Sequence, residues 1–495
     1  MLFNSIDFAI FLPIVFVLYW FVTDKNLKLQ NFLIVIASYL FYGWWDWRFL
    51  FLVIFNSLVD YSVGLGLLNQ NNLTKRKILL YISLIINIGI LCFFKYFNFF
   101  IENFIDAFNF LGVPINANTL NIILPIGISF YTLKTLSYTI DVYNEKLLPT
   151  KDITAYLAFV SFFPQILAGP IERAINLLPQ FYSRRVFDYS NAVDGLKQIL
   201  WGLFKKIVIA DNCAIYANII FDNSSDYSGS TLAVGVLFFA FQIYCDFSGY
   251  SDMAIGVARL FGFNTMQNFA FPYFSRDITE FWRRWHISLS NWLRDYIFLP
   301  LAYSGTRKLS QKKYFGVRSD RIVYFYAVTV TFLICGLWHG ANWTFVIWGS
   351  VFCFYLISAN LSKNSVNNFY LFLRMKKDSK VRKFVDIFIT FHLVLFAWVF
   401  FRAENVGQAI GYLSKILSTS IFAKPYFEGR NDSFPIILLI LIFAIIEWYG
   451  KEYQYAIANL GIKWARPIRY AVYYVIIVAI FWFGSKEQQF LYFQF

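Results

Sequence analysis

Charged side chains are scarce in this sequence: Asp, Glu, Lys and Arg make up 15% of its 495 residues, and 59% are hydrophobic. An average soluble domain carries roughly 25% charged and 45–50% apolar residues, so that class is excluded. Histidine is scarcer still, at three residues, and cysteine numbers five. No two cysteines form a Cys-x-x-Cys pair, and Cys92, Cys213, Cys245, Cys335 and Cys353 all lie in or beside apolar runs. They read as buried thiols, with neither a disulfide nor a metal site assigned. Also missing are the Gly-x-x-x-x-Gly-Lys-Ser/Thr phosphate loop, the Gly-x-Ser-x-Gly elbow and the His-Glu-x-x-His zinc helix, which removes support for ATP-driven transport, serine hydrolysis and zinc proteolysis. There is no internal repeat or low-complexity tract, and residues 1–7 lack the basic start and cleavage site of a secretory signal.

Apolar and aromatic side chains dominate instead. Mean hydropathy is +0.54, and the 60 Phe, 33 Tyr and 15 Trp suit membrane interiors and interfacial belts. Apolar spans run over residues 8–22, 31–45, 49–68, 78–100, 120–140, 192–219, 231–261, 322–337, 341–361, 384–401, 435–448 and 469–483. Several fall short of the usual ~20 residues. The chain reads as an all-α polytopic membrane protein in the lipid bilayer.

The formal net charge of +14 is not laid out as a nucleic-acid surface. It gathers at Lys75-Arg76-Lys77, Arg184-Arg185, Arg307-Lys308 with Lys312-Lys313, and residues 374–383, whereas 102–118 and 222–230 hold no Lys or Arg. Alternating sides through the twelve spans puts every basic loop in the cytoplasm and both termini outside. Residues 156–170 are apolar as well, but Pro164, Gly169 and Pro170 favour a re-entrant hairpin. Polar excursions at 263–320 and 402–433 interrupt what reads as one membrane domain over 1–495.

Chemistry is carried by a few polar intrusions. His339 lies between apolar flanks in Gly336-Leu337-Trp338-His339-Gly340-Ala341-Asn342-Trp343. An ionisable residue at membrane depth is a functional-site candidate, and the glycines on either side weaken the helix around it. His286 lies in Phe281-Trp282-Arg283-Arg284-Trp285-His286-Ile287-Ser288, where Phe281, Trp285, Leu289, Trp292 and Tyr296 share one helical face. Those residues alone predict a continuous helix lying in the cytoplasmic interface. His392 has only apolar neighbours and reads as a packing or interhelical hydrogen-bonding residue. Gln242, Asp246 and Asp252 form a second intrusion, whose carboxylates must be paired, protonated or hydrated; Arg283, Arg284 and Arg294 are the expected partners if the role is structural. The third is Pro164-Gln165-Ile166-Leu167-Ala168-Gly169-Pro170-Ile171-Glu172-Arg173.

Taken in order, Phe163 to Arg173, Asp246-Phe247-Ser248-Gly249-Tyr250-Ser251-Asp252, Phe281 to Ser290, and Leu337-Trp338-His339-Gly340 resemble the signatures of the membrane-bound O-acyltransferase superfamily. Within it they are similar to the membrane subunits of bacterial alginate O-acetylation. Trp398-Val399-Phe400-Phe401-Arg402 and Phe490 to Phe495 add to the likeness, which runs over nearly the whole chain, with core signatures in 154–361. Leu299-Pro300-Leu301 departs from it, running into Ala302-Tyr303-Ser304 where relatives often have a Gly-Gly-Asn-Arg-like turn.

The resemblance implies a helical shell of about 11–13 spans with re-entrant segments around a central tunnel. It makes His339 the general base and His286 its cytoplasmic partner orienting a thioester. Trp338, Asn342, Trp285, Ser288, Gln242, Asp246 and Asp295 would shape the substrate path, and Arg283, Arg284 and Arg294 would be basic residues at the donor entrance. It implies no bound cofactor, acetyl-CoA as donor substrate, and either a periplasmic acetyltransferase partner or a polysaccharide acceptor. It places the protein in the bacterial inner membrane. Peptidoglycan is an alternative acceptor. A transporter without acyl transfer is the rival of a different class, disfavoured by the lack of repeat symmetry.

Overall fold

The computed structural model describes residues 1–112, 119–120, 122–309, 311–314, 316–376, 378–461, 464–484 and 488–491. The helices in chain order begin with α1 (Ile6–Val17), α2 (Leu27–Gly43), α3 (Leu50–Leu67), α4 (Leu73–Phe110), α5 (Ile128–Tyr143), α6 (Ile153–Ser161) and the short α7 (Ala174–Leu177). Next come α8 (Tyr189–Leu203), α9 (Asp211–Asp222), α10 (Gly229–Leu260), α11 (Ile278–Arg284), α12 (Ile287–Leu293) and α13 (Leu299–Lys308). The series closes with α14 (Ser319–His339), α15 (Trp343–Phe372), α16 (Lys380–Arg402), α17 (Val406–Ile416), α18 (Phe434–Gly450) and α19 (Arg466–Phe483). A two-stranded antiparallel ribbon pairs Lys313 with Arg318 and Tyr314 with Val317.

The chain is a multi-pass membrane protein. Among the described residues eight helical segments are long and apolar enough to cross a bilayer: Trp47–Leu67, α4, α10, α14, α15, α16, Asn431–Gly450 and α19. Two shorter apolar helices, Ile6–Val22 and α2, precede them. The remaining two expected spans are composite. Residues 192–219 fall in α8, a π-helical stretch Phe204–Ala210 and α9. The span expected over 120–140 becomes helical only at Ile128; residue 121 lies outside the described residues. The helix starts late because Gly127 is left-handed (φ 77°) and packs against the Ile166 backbone, where a Cβ would clash.

The chain divides into two compact units. The first comprises Met1–Ile199 with Tyr250–Met266. In it α3, α4 and α5 pack on one another, and α6 packs on α2 and α3. An aromatic core of Phe3, Phe8, Phe11, Phe41 and Phe163 has ring centroids 4.7–6.1 Å apart. α6 stops at Ser161, and the chain continues through a run of turns before an extended 170–173. This non-helical path is what proline and glycine imposed on the expected hairpin.

The second unit comprises Leu200–Gly249 with Gln267–Phe495. Its tightest pairing is the hairpin of α14 and α15. A Cβ on Gly336 would meet the Phe345 carbonyl and one on Gly349 the Phe332 carbonyl, so glycine is what lets these helices approach so closely. Asn342 caps α15, its Oδ1 accepting the Thr344 N–H at 3.0 Å, and its Nδ2 donates to the Glu404 carbonyl at 2.8 Å.

Candidate functional site

The continuous helix expected over 281–296 does not form. α11 ends at Arg284, and His286 is left-handed (φ 41°, ψ 55°) before α12 begins. Such backbone is unusual for a non-glycine residue and is held only by its surroundings. Here the holding segment is 268–270: Ala270 N–H donates to the Arg284 carbonyl (2.9 Å) and Ile287 N–H to the Asn268 carbonyl (2.8 Å). Nor does the aromatic face lie in an interface. Phe281, Trp285, Leu289 and Trp292 are buried, because the break turns them into the core of the second unit.

The break fixes the state of His286. Asn268 Oδ1 accepts the Ser288 backbone N–H (3.2 Å) and the Ser288 hydroxyl (2.8 Å), and it lies 3.1 Å from His286 Nδ1. A backbone N–H can only donate, so the oxygen is the acceptor and Nδ1 carries the proton. Nε2 is then the acceptor nitrogen. The ring is fully buried, and burial lowers its pKa to about 3, so it is neutral at neutral pH. Phe247 stands edge-on to it at 4.6 Å.

His339 closes α14 as the sequence implied, with Gly340 extended beyond it. Its ring is buried among Trp338 (5.0 Å), Trp348 (4.9 Å), Phe401 (5.1 Å) and Phe345 (6.5 Å). The Trp338 indole also lies 5.9 Å from the His286 ring. The two histidines, 53 positions apart in sequence, thus flank one buried indole. Trp285 completes the aromatic wall, packing on Trp398 at 4.9 Å and Phe269 at 5.1 Å.

The other expected site residues are dispersed around this centre. Gln242 is buried, and its Oε1 has no hydrogen-bond partner among the described residues. Asp246 pairs with Lys206 at 2.8 Å, not with the three arginines. Lys206 also pairs with Asp211 at 2.8 Å and donates to the Gln488 carbonyl, while the Leu491 N–H donates to Asp246. Lys206 is in reach because Gly249 packs on the Gly202 carbonyl, drawing α8 and α10 together within this unit. Asp252, in the first unit, accepts from Gln198 at 2.8 Å. His392 is exposed; its Nδ1 bonds the Phe388 carbonyl of its own helix, and among the described residues it makes no hydrogen bond to another helix. Asp295 pairs with its neighbour Arg294.

Arg283 and Arg284 line a cleft of about 1010 Å³ within the second unit. Six cationic side chains (Arg276, Arg283, Arg284, Lys363, Arg382, Lys383) face four carboxylates (Asp277, Glu280, Asp378, Asp386) in its lining, leaving it net positive. Glu280 holds Arg276 and Arg284 at 2.8 and 2.7 Å, and Arg382 stacks over Tyr370 at 4.1 Å. Leu356, in the lining, is eight residues along α15 from Trp348, or ~12 Å at ~1.5 Å per residue. The cleft is therefore one short helical stretch from the ring that touches His339.

Asn268 was invisible to motif reasoning; a single Asn between Gln267 and Phe269 carries no signal of its own. Phe401 and Trp398 were signalled by the Trp398 to Arg402 segment; Lys206, beside Lys205 in an apolar run, was missed. No group of three or more His, Cys, Asp or Glu suited to a metal occurs among the described residues.

The profile of the membrane-bound O-acyltransferase family matches residues 144–403. The chain is 35% identical over 460 aligned positions to a probable alginate O-acetylase of Azotobacter vinelandii, covering 92% of this chain and 86% of that one. It is 32% identical over 541 positions to a peptidoglycan O-acetyltransferase of Helicobacter pylori, covering 100% and 98%. A teichoic acid D-alanyltransferase of Bacillus subtilis is 29% identical over 296 positions, covering 57% and 70%.

Proposed function

Because the chain belongs to the membrane-bound O-acyltransferase family, and is an O-acyltransferase, we propose that it moves acetyl groups from a cytoplasmic thioester, acetyl-CoA, to hydroxyls of an exopolysaccharide such as alginate. Transfer runs directly or through a periplasmic acetyltransferase partner, across the bacterial inner membrane, with both termini outside. The observation that carries this reading is the pair of buried histidines flanking Trp338. His339 takes the proton of the attacking hydroxyl as its oxygen bonds to the acyl carbon, a general-base contribution of roughly 10²–10⁴-fold. The C–S bond breaks, and the proton leaves with the thiolate. His286, neutral and held by Asn268 and Ser288, presents Nε2 to the donor side.

The net-positive cleft supports a phosphate-bearing donor, with Arg283 and Lys363 at hand for its charge. Peptidoglycan is a second acceptor reading, favoured by the full-length match to the Helicobacter pylori relative.

The test is purified protein in proteoliposomes given radiolabelled acetyl-CoA and acceptor oligosaccharides. Free CoA and labelled oligosaccharide should appear, and folded His339→Ala protein should lose both. Full transfer by that variant, or uptake of label without CoA release, would remove the assignment; the latter would mark a transporter.

A further inference from the structure

The hairpin that joins α13 to α14 carries a dense positive charge that acyl transfer does not use. Residues 307–321 hold Arg307, Lys308, Lys312, Lys313, Arg318 and Arg321 against one acid, Asp320. All six cations are exposed, and none lines the donor cleft. Asp320 is taken by Arg318 at 2.9 Å, and among the described residues none of the other five is in an ion pair.

Local geometry packs these charges together. The ribbon pairs Lys313 with Arg318, whose Cα atoms are then ~5 Å apart. The Lys312 carbonyl accepts the Ser319 N–H at 3.1 Å. Gly305 of α13 lies against Val323 of α14, so Arg307 and Lys308 end α13 beside the start of α14.

The height of the hairpin relative to the bilayer is set by α14. That helix is long and apolar enough to cross a membrane, and its sequence turns at Arg321 from charged to an unbroken apolar and aromatic run over 322–328. Hydrocarbon therefore begins within the first turn of α14, and the cations stand in the headgroup layer. Two apolar side chains are exposed among them, Tyr303 at 63% and Val317 at 40%. Cations interleaved with apolar anchors suit the interface between headgroups and acyl chains.

We propose that this hairpin binds anionic phospholipid headgroups, which brace the link between α12, the helix after His286, and α14, the helix that ends at His339. The lipid phosphates supply the negative charge that the hairpin lacks, and the acyl chains receive Tyr303 and Val317.

The test is the thermal midpoint of the full chain in neutral detergent at fixed ionic strength, titrated with phosphatidylglycerol or phosphatidylcholine. Phosphatidylglycerol should raise the midpoint saturably, as a ligand of the folded state does, and phosphatidylcholine should not. At about fivefold in affinity per cation, Lys312→Gln/Lys313→Gln should need about 25-fold more phosphatidylglycerol for the same rise. Lys75→Gln/Lys77→Gln, in another basic segment, should respond like the parent. Equal rises with the two lipids overturn the proposal, as does an unaltered response of K312Q/K313Q. An equal loss in K75Q/K77Q overturns it too, by marking general surface charge. So does a full rise with inorganic phosphate alone, which would mark a site for free anions. If K312Q/K313Q does not fold, Arg307→Gln/Lys308→Gln takes its place in the same comparison.

Discussion

His286 Nδ1 and Asn268 Oδ1 lie 3.1 Å apart, and the Ser288 backbone N–H bonded to that same oxygen makes the imidazole the donor. One buried amide thereby selects the tautomer of a ring eighteen positions away.

That selection predicts a pH signature. With its pKa lowered to about 3 by burial, His286 should add no acid limb to the transfer rate near neutrality. Asn268→Asp sets an anion beside Nδ1 and raises the ring's pKa. Protonation then removes Nε2 as an acceptor, so transfer by the variant should fall as pH drops through neutrality. Rate profiles of N268D and unaltered protein that superimpose would refute the role given to Nε2.

Lys206 pairs with both Asp211 and Asp246 in a buried trio. Lys206→Met leaves two buried carboxylates without their cation and should cost about 3–5 kcal/mol, seen as a lower melting temperature in detergent. The triple change K206M/D211N/D246N should recover much of the loss. A triple variant no more stable than the single one contradicts the charge argument.

Glu172 predicts the opposite pH trend from an ordinary paired carboxylate. Burial raises its pKa to about 7, against the lowering effects of the Met266 N–H and nearby Lys134. The folded state therefore holds a proton that the unfolded state has released, between about 4.5 and about 7. The stability from this group is fully present below the unfolded pKa and is lost as pH rises through the folded one. Thermal melts of Glu172→Gln should be less sensitive than the parent to raising the pH from about 5 to about 8, across the window those two pKa values set. Parallel pH curves would exclude Glu172 as the source.

Gly336→Ala should destabilise the protein by about 1–3 kcal/mol, the cost of overpacking, because its Cβ meets the Phe345 carbonyl. Transfer should fall with it, since Phe345 also touches His339. Gly411 on α17 has open space around the same added atom, so Gly411→Ala should be neutral or slightly stabilising. Melting curves of the two variants compare them directly; equal effects would show that helix contact is not what Gly336 serves.

The helical membrane class and the place of His339 at a helix end were legible, because hydropathy and a histidine flanked by apolar runs are local properties. The twelve expected spans all coincide with helical segments, wholly or in part. What escaped was non-local. The spacing of Phe281, Trp285, Leu289, Trp292 and Tyr296 is helical on both sides of His286, and only the backbone of 268–270 imposes the break. Asp246 was matched to arginines of the following excursion, whereas its cation sits forty residues earlier. Lys206 escaped because a lysine pair, Lys205-Lys206, inside an apolar run does not announce its partners.

The tie between Asp246 and Leu491 has a consequence in time. These groups are 245 residues apart. At synthesis rates of ~5–20 residues per second, ~12–50 s separate their appearance on the ribosome. Lys206 and Asp246 are made early and must wait for the late segment 488–491 that completes their hydrogen bonds. The core beside His286 is therefore finished only once residues 488–491 have been made, and a nascent chain stalled before residue 488 should carry an incompletely sealed site.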